Sequence, residues 1–122
     1  MGVPILKQGD ILIATVQDAL GDADMLQLRD DLMGRVGRLR SKGVVIDVTA
    51  LDVMDSFATR TLRGIAEAVR LRGAQAVIVG IQPEVAMTMV QLGLDLGAVN
   101  TALDLEEGLE VLSAASGGET FG

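Results

Sequence analysis

The sequence predicts a single α/β domain, a mixed β-sheet with four helices in the order β-β-α-β-α-β-α-β-α. Three observations lead there. Short apolar runs rich in β-branched residues, Val44 to Val48 and Ala76 to Val79, alternate with stretches whose apolar residues recur every three or four positions. Alternation of that kind implies parallel pairing through right-handed crossovers. Two opening extended runs, separated only by Gln8-Gly9-Asp10, add an antiparallel hairpin at one edge.

Each element has its own local cause. Pro4 to Lys7 and Ile11 to Val16 form the hairpin, with Pro4 suited to an edge strand because its missing N–H is not needed there. From Asp24, the stripe Met25, Leu28, Leu32, Val36 and Leu39 predicts a helix. Asp22, Asp24, Asp30 and Asp31 crowd its start and Arg35, Arg38, Arg40 and Lys42 its end, the order the helix dipole favours. Gly43 is expected to cap it, and Gly34 and Gly37 inside it suggest a close approach to another backbone. Val44 to Val48 then reads as an interior strand covered on both sides.

The second helical stripe is Ala58, Leu62, Ile65, Ala66 and Val69, ending by Gly73, and Ala76 to Gly80 is the next buried strand. Pro83 opens a third helix through Val85, Met89 and Leu92. Ala98 to Leu103 is the expected last strand, and Asp104 with Glu107 resembles a capping box before a final stripe of Leu105, Leu109 and Leu112. The domain is therefore expected over residues 1–112, with 113–122 a flexible tail. Met54, Met87 and Met89 read as core filler.

Composition removes many chemistries. There is no Cys and no His, which excludes most zinc sites, thiol chemistry, Ser-His triads and disulfides, and makes a reducing cytoplasm the simplest location. Hydrophobic residues are 49% of 122 and aromatics only 2%, so one core of ordinary size is expected and it must be aliphatic. A net charge of −7 and the absence of Trp and Tyr argue against nucleic acid. No segment approaches a membrane span and no phosphate-cradling glycine loop follows any strand, so no cofactor is implied.

What remains is a corner. Val44 to Val48 ends beside Asp47, a polar turn follows, and Asp55-Ser56-Phe57-Ala58-Thr59-Arg60 opens a helix. A hydroxyl at a helix N-terminus sits where unpaired N–H groups and the dipole both favour a phosphoryl group. An ordinary N-cap is the competing role for Ser56, but Asp55 offers itself as the cap. Thr59 lies in the same first turn and is a weaker candidate for modification, its hydroxyl being able to bond the preceding turn. Phe57 is a candidate partner contact; Arg60, Arg63, Arg70 and Arg72 against Glu67 alone give the helix a net +3, and Arg60 and Arg63, within a turn or two of Ser56, are candidates to bind an anion or an acidic partner. Asp47 is placed to hold the following loop, Asp52 to form its turn, and a divalent-cation site made with Asp55 is a minority reading because the spacing fits no calcium loop. A hydrolase would need a base for Ser56, and nothing in the sequence arranges one.

Residues 44 to 60, Val-Val-Ile-Asp-Val-Thr-Ala-Leu-Asp-Val-Met-Asp-Ser-Phe-Ala-Thr-Arg, resemble the signature of STAS domains, the anti-sigma-factor antagonists. The resemblance implies a fold of this same element order and a serine phosphorylated by a partner kinase. Where sporulation-type antagonists continue Asp-Ser-Ser-Gly, this chain has Ser56-Phe57-Ala58-Thr59, similar to the small stressosome scaffold proteins of the RsbS type. The larger co-scaffold relatives carry an N-terminal sensor domain and usually Thr at the first phosphosite; with a first strand near residue 3 and Ser56 at the site, neither is expected here.

The resemblance thus implies a non-enzymatic scaffold with Ser56 as phosphosite. Its implied partners are a co-scaffold STAS paralogue with a sensor domain, a switch serine/threonine kinase of the RsbT type, and a phosphatase that resets Ser56. A simple anti-sigma-factor antagonist, a small anion-binding α/β module or enzyme, and a purely structural subunit are the alternatives.

Overall fold

A computed structural model describes residues 3–17 and 21–115. Strands β1 (Ile5–Gln8) and β2 (Ile11–Thr15) form the hairpin, followed by helix α1 (Asp22–Leu39), β3 (Gly43–Asp47), α2 (Ser56–Leu71), β4 (Gln75–Val79), α3 (Pro83–Gln91), β5 (Asn100–Ala102) and α4 (Leu105–Ala115). The single sheet runs β1-β2-β3-β4-β5, with β1 antiparallel to β2 and every other pair parallel. Gly9 at φ 59 makes the hairpin turn, a conformation open to glycine without steric cost. Element order and the mixed sheet are as expected from the sequence.

The two-residue period of the strands divides the core. Leu12, Ala14, Val44, Ile46, Ala76 and Ile78 face one side, where they pack with Leu28, Leu32 and Val36 of α1, Leu62, Ile65 and Val69 of α2, and Val85 and Met89 of α3. Ile11, Ile13, Val45, Val77 and Val79 face the other side, covered by Leu112 with Leu105 and Leu109 of α4. The three central strands are thus apolar on both faces, which is why they read as unbroken hydrophobic runs. Gly108 lets α4 lie close on β4, since a Cβ there would come 2.6 Å from a methyl of Val79.

Several boundaries differ from expectation. Gly43 is not a cap: α1 ends at Leu39 with Arg40 in the left-handed region (φ 51), and Gly43 is the buried first residue of β3, where a Cβ would meet Leu112 at 3.0 Å. Gly34 and Gly37 approach side chains rather than backbone, with the guanidinium of Arg38 over the first and that of Arg72, just past the end of α2, over the second. The first guanidinium comes from one turn along α1 itself and the second from across the helix pair, so the space each glycine leaves is taken by an arginine head group. The last strand is only Asn100–Ala102, and Ser113 to Ala115 continue α4 rather than starting a tail. The rest of the expected tail, 116–122, lies outside the described residues. Met54 and Met89 are buried as expected, but Met87 is 62% exposed on the outer side of α3.

Parallel strands followed by helices send every β-to-α loop to one end of the sheet. The loop after β3 therefore lies beside the loop after β4, because Asp47 pairs in register with Val79. That neighbourhood is the setting of Ser56.

Candidate functional site

The corner is built outward from Asp47. Half-buried at the end of β3, its Oδ1 accepts the Thr49 backbone N–H at 2.9 Å and the Thr49 hydroxyl at 2.6 Å. A carboxylate bonding its own backbone two residues on is an Asx turn, and it fixes the direction in which the chain leaves the strand. Asp47 thus holds the loop as its sequence position suggested. Leu51 and Met54, 5% and 4% exposed, then anchor the loop in the core, leaving Asp52 and Val53 outside. Asp52 does not close a turn of its own; its Oδ1 faces Gln82 Nε2 at 3.4 Å.

Asp55 is the N-cap of α2. Its side chain accepts the Ala58 N–H at 2.7 Å, in extended backbone geometry. Thr59 is 1% exposed and its hydroxyl donates to the Asp55 carbonyl at 2.9 Å, so its role is to close the first helical turn and it presents no accessible acceptor for modification. Ser56 is the first helical residue, exposed, and its hydroxyl has no hydrogen-bond partner among the described residues. With capping delegated to Asp55, the serine is left facing solvent. Asp55→Ala is expected to lower stability by about 1 kcal/mol, the usual value of an N-cap side chain, seen as a lower urea midpoint with an unchanged m-value.

The arginines separate. Arg60 is exposed one helical turn beyond Ser56. Arg63 points toward Asp95 (Nη1–Oδ1 3.5 Å), with its stem close to Gly97. Arg70 and Arg72 lie at the far end of α2, so the net +3 of the helix is not concentrated at the serine. Phe57 is half-buried against the larger core cluster, with only part of its ring available to a partner. Among the described residues no group of three or more carboxylates is arranged to hold a metal ion, and no helix is long and apolar enough to cross a membrane.

Three contributors were not identified from the sequence: Thr49, Gly80 and Gln82. Gly80 (φ 81) passes directly over Thr49, with no room for a Cβ, and Val48 N–H bonds the Val79 carbonyl at 3.0 Å. Gln82 Nε2 donates to the Thr49 carbonyl at 2.7 Å. The available signals were a glycine ending a buried strand and a glutamine in the N-cap place before Pro83, where a better capping residue would be usual.

The family model described as STAS domain matches residues 3–108. The chain belongs to the STAS domain family. The RsbT co-antagonist protein RsbRA of Bacillus subtilis is 36% identical over 99 residues, a match that takes in 79% of this chain and 36% of that protein. This STAS domain therefore spans about a third of the length of its RsbR-type relatives. Two solved structures match almost end to end. A Ser-to-Glu variant of RsbS from Moorella thermoacetica superposes with a TM-score of 0.80 at 38% identity, covering 93% of this chain and 97% of that one.

A chain from a structure describing the molecular architecture of the stressosome superposes at 0.74 with 36% identity, covering 93% and 98%. Unphosphorylated SpoIIAA, an anti-sigma-factor antagonist, shares the fold at 13% identity with a TM-score of 0.67. This is a stressosome-type STAS domain related to RsbS and RsbR proteins.

Proposed function

We propose that this STAS domain is a scaffold of the RsbS type, which holds a switch serine/threonine kinase of the RsbT type and releases it when Ser56 is phosphorylated. The observation that carries this reading is the division of labour at α2: Asp55 caps the helix, and the adjacent Ser56 hydroxyl is exposed and unbonded among the described residues. The similarity to RsbS and to a stressosome chain supports it. In the same reading the domain assembles with sensor-bearing RsbR-type co-scaffolds in the cytoplasm, a phosphatase resets Ser56, and the chain has no catalytic role of its own.

The chemistry of the corner suits a switch without refolding. A phosphoserine brings about −1.5 to −2 charges and strong acceptor oxygens. The N–H groups of Ser56 and Phe57 lie before Thr59, the first residue whose N–H bonds within the helix, and with the helix dipole they stabilise that charge. The exposed Asp55 carboxylate adjoins the modified residue, so the added charge bears on a docked partner rather than on the fold.

The test is to incubate the chain with ATP and an RsbT-type kinase and map the phosphopeptide. Label at Ser56, absent from Ser56→Ala, is the expected result. Label elsewhere, or turnover of a small molecule by the chain alone, would sink the proposal.

A further inference from the structure

Gln82 occupies the N-cap position of α3, immediately before Pro83, yet its side chain makes no cap hydrogen bond. Its amide crosses instead to the neighbouring loop, donating to the Thr49 carbonyl at 2.7 Å and facing Asp52 Oδ1 at 3.4 Å. Both partners are acceptors only, which fixes the nitrogen as the end of the amide turned toward the loop. Thr49 is itself held by Asp47, and beneath it Gly80 leaves no space between the two loops. The segment leading to Ser56 is thus fastened at its beginning by Asp47, in its middle by Leu51 and Met54, and across to α3 by Gln82.

We infer that Gln82 is a positioning residue, which ties the base of α3 to the loop after β3 and holds Ser56 in the geometry its kinase meets. Glutamine is a poor helix cap, so its placement here has a use across the loops that it lacks along its own helix. The tie joins exposed groups, since Thr49 and Asp52 both reach solvent, and water can replace it. Its loss therefore loosens the loop without unfolding the domain. If the presenting geometry falls to about a fifth of the population, the apparent affinity of the kinase for its substrate falls about fivefold. For phosphorylation the inference rests on the reading of Ser56 given above; the tie itself does not.

Amide hydrogen exchange and phosphorylation kinetics on the full chain test it together. In Gln82→Ala, and more so in Gln82→Glu, which sets a carboxylate against two acceptors, exchange across 50–57 should quicken about fivefold while β2 and β4 stay as slow as in the parent. With an RsbT-type kinase, KM for these variants should rise about fivefold at unchanged kcat. Gln82→Lys, which restores a donor of similar reach, should return both toward parent values. Parent-like exchange in Gln82→Ala overturns the inference, as does uniform acceleration through the sheet or faster loop exchange with KM unmoved. A parent chain that is not phosphorylated on Ser56 would defeat the proposed function instead, while the exchange data still decide the tie.

Discussion

Ser56→Asp is expected to weaken capture of an RsbT-type kinase about 100-fold relative to the parent, while Ser56→Ala captures it normally and cannot be released by ATP. The size follows from the place. A partner docked on the parent at this corner would cover a neutral hydroxyl next to the exposed capping carboxylate of Asp55. A further buried negative charge, without a new cation to meet it, imposes desolvation and like-charge repulsion on the complex. A loss of about 3 kcal/mol is roughly 100-fold in Kd, enough to free a partner held at micromolar strength.

The isolated domain should not share that loss. An acidic side chain in the first turn of α2 is favoured by the helix dipole, so the melting temperature of Ser56→Asp should equal or exceed that of the parent. Calorimetric binding and thermal unfolding on the same samples separate the two effects. Equal affinity for Ser56→Asp and the parent would eliminate charge as the means of release.

Gly80→Ala is expected to destabilise the domain by about 3 kcal/mol, the largest effect of any single methyl group near the site. Two costs add. At φ 81 an L-residue is strained by roughly 1–2 kcal/mol, and the new Cβ would collide with the Thr49 side chain and lie 3.1 Å from its Cα. Thr49 cannot withdraw without breaking both of its bonds to Asp47. Gly93→Ala serves as the control, because its φ of 69 carries the same strain while nothing lies within 4 Å of the added carbon. Urea unfolding should show Gly93→Ala losing only about 1 kcal/mol, the difference being the collision. Equal losses for the two would mean that the loops separate more easily than their packing indicates.

How much of this was legible beforehand depended on whether the cause was local. The period-two and period-3.6 patterns placed the nine elements of the described residues in order, because side-chain direction follows directly from backbone periodicity. The capping function of Asp55 and the turn made by Asp47 were also readable, since each acts on backbone two or three residues away. The end of α1 was misread because a non-glycine, Arg40, took the left-handed conformation, releasing Gly43 to admit Leu112 from a helix far along the chain. The neighbour of Gly37 was hidden for the same reason, as Arg72 comes from the end of α2, whereas that of Gly34 is the local Arg38.

By itself the sequence determined a mixed α/β domain with an aliphatic core and placed Ser56 at the opening of a helix behind an acidic neighbour. Histidine and cysteine being absent, it also excluded most other chemistry for that hydroxyl. Only the tertiary structure decided which hydroxyl stands free, since Thr59 turns inward on its own helix and Ser56 does not. It alone decided that the arginines of α2 divide between the two ends of the domain. The bond from Gln82 to Thr49 spans 33 residues of chain, and it exists because parallel pairing of β3 with β4 sets their following loops side by side. No local pattern encodes such a contact; it arises when the sheet assembles.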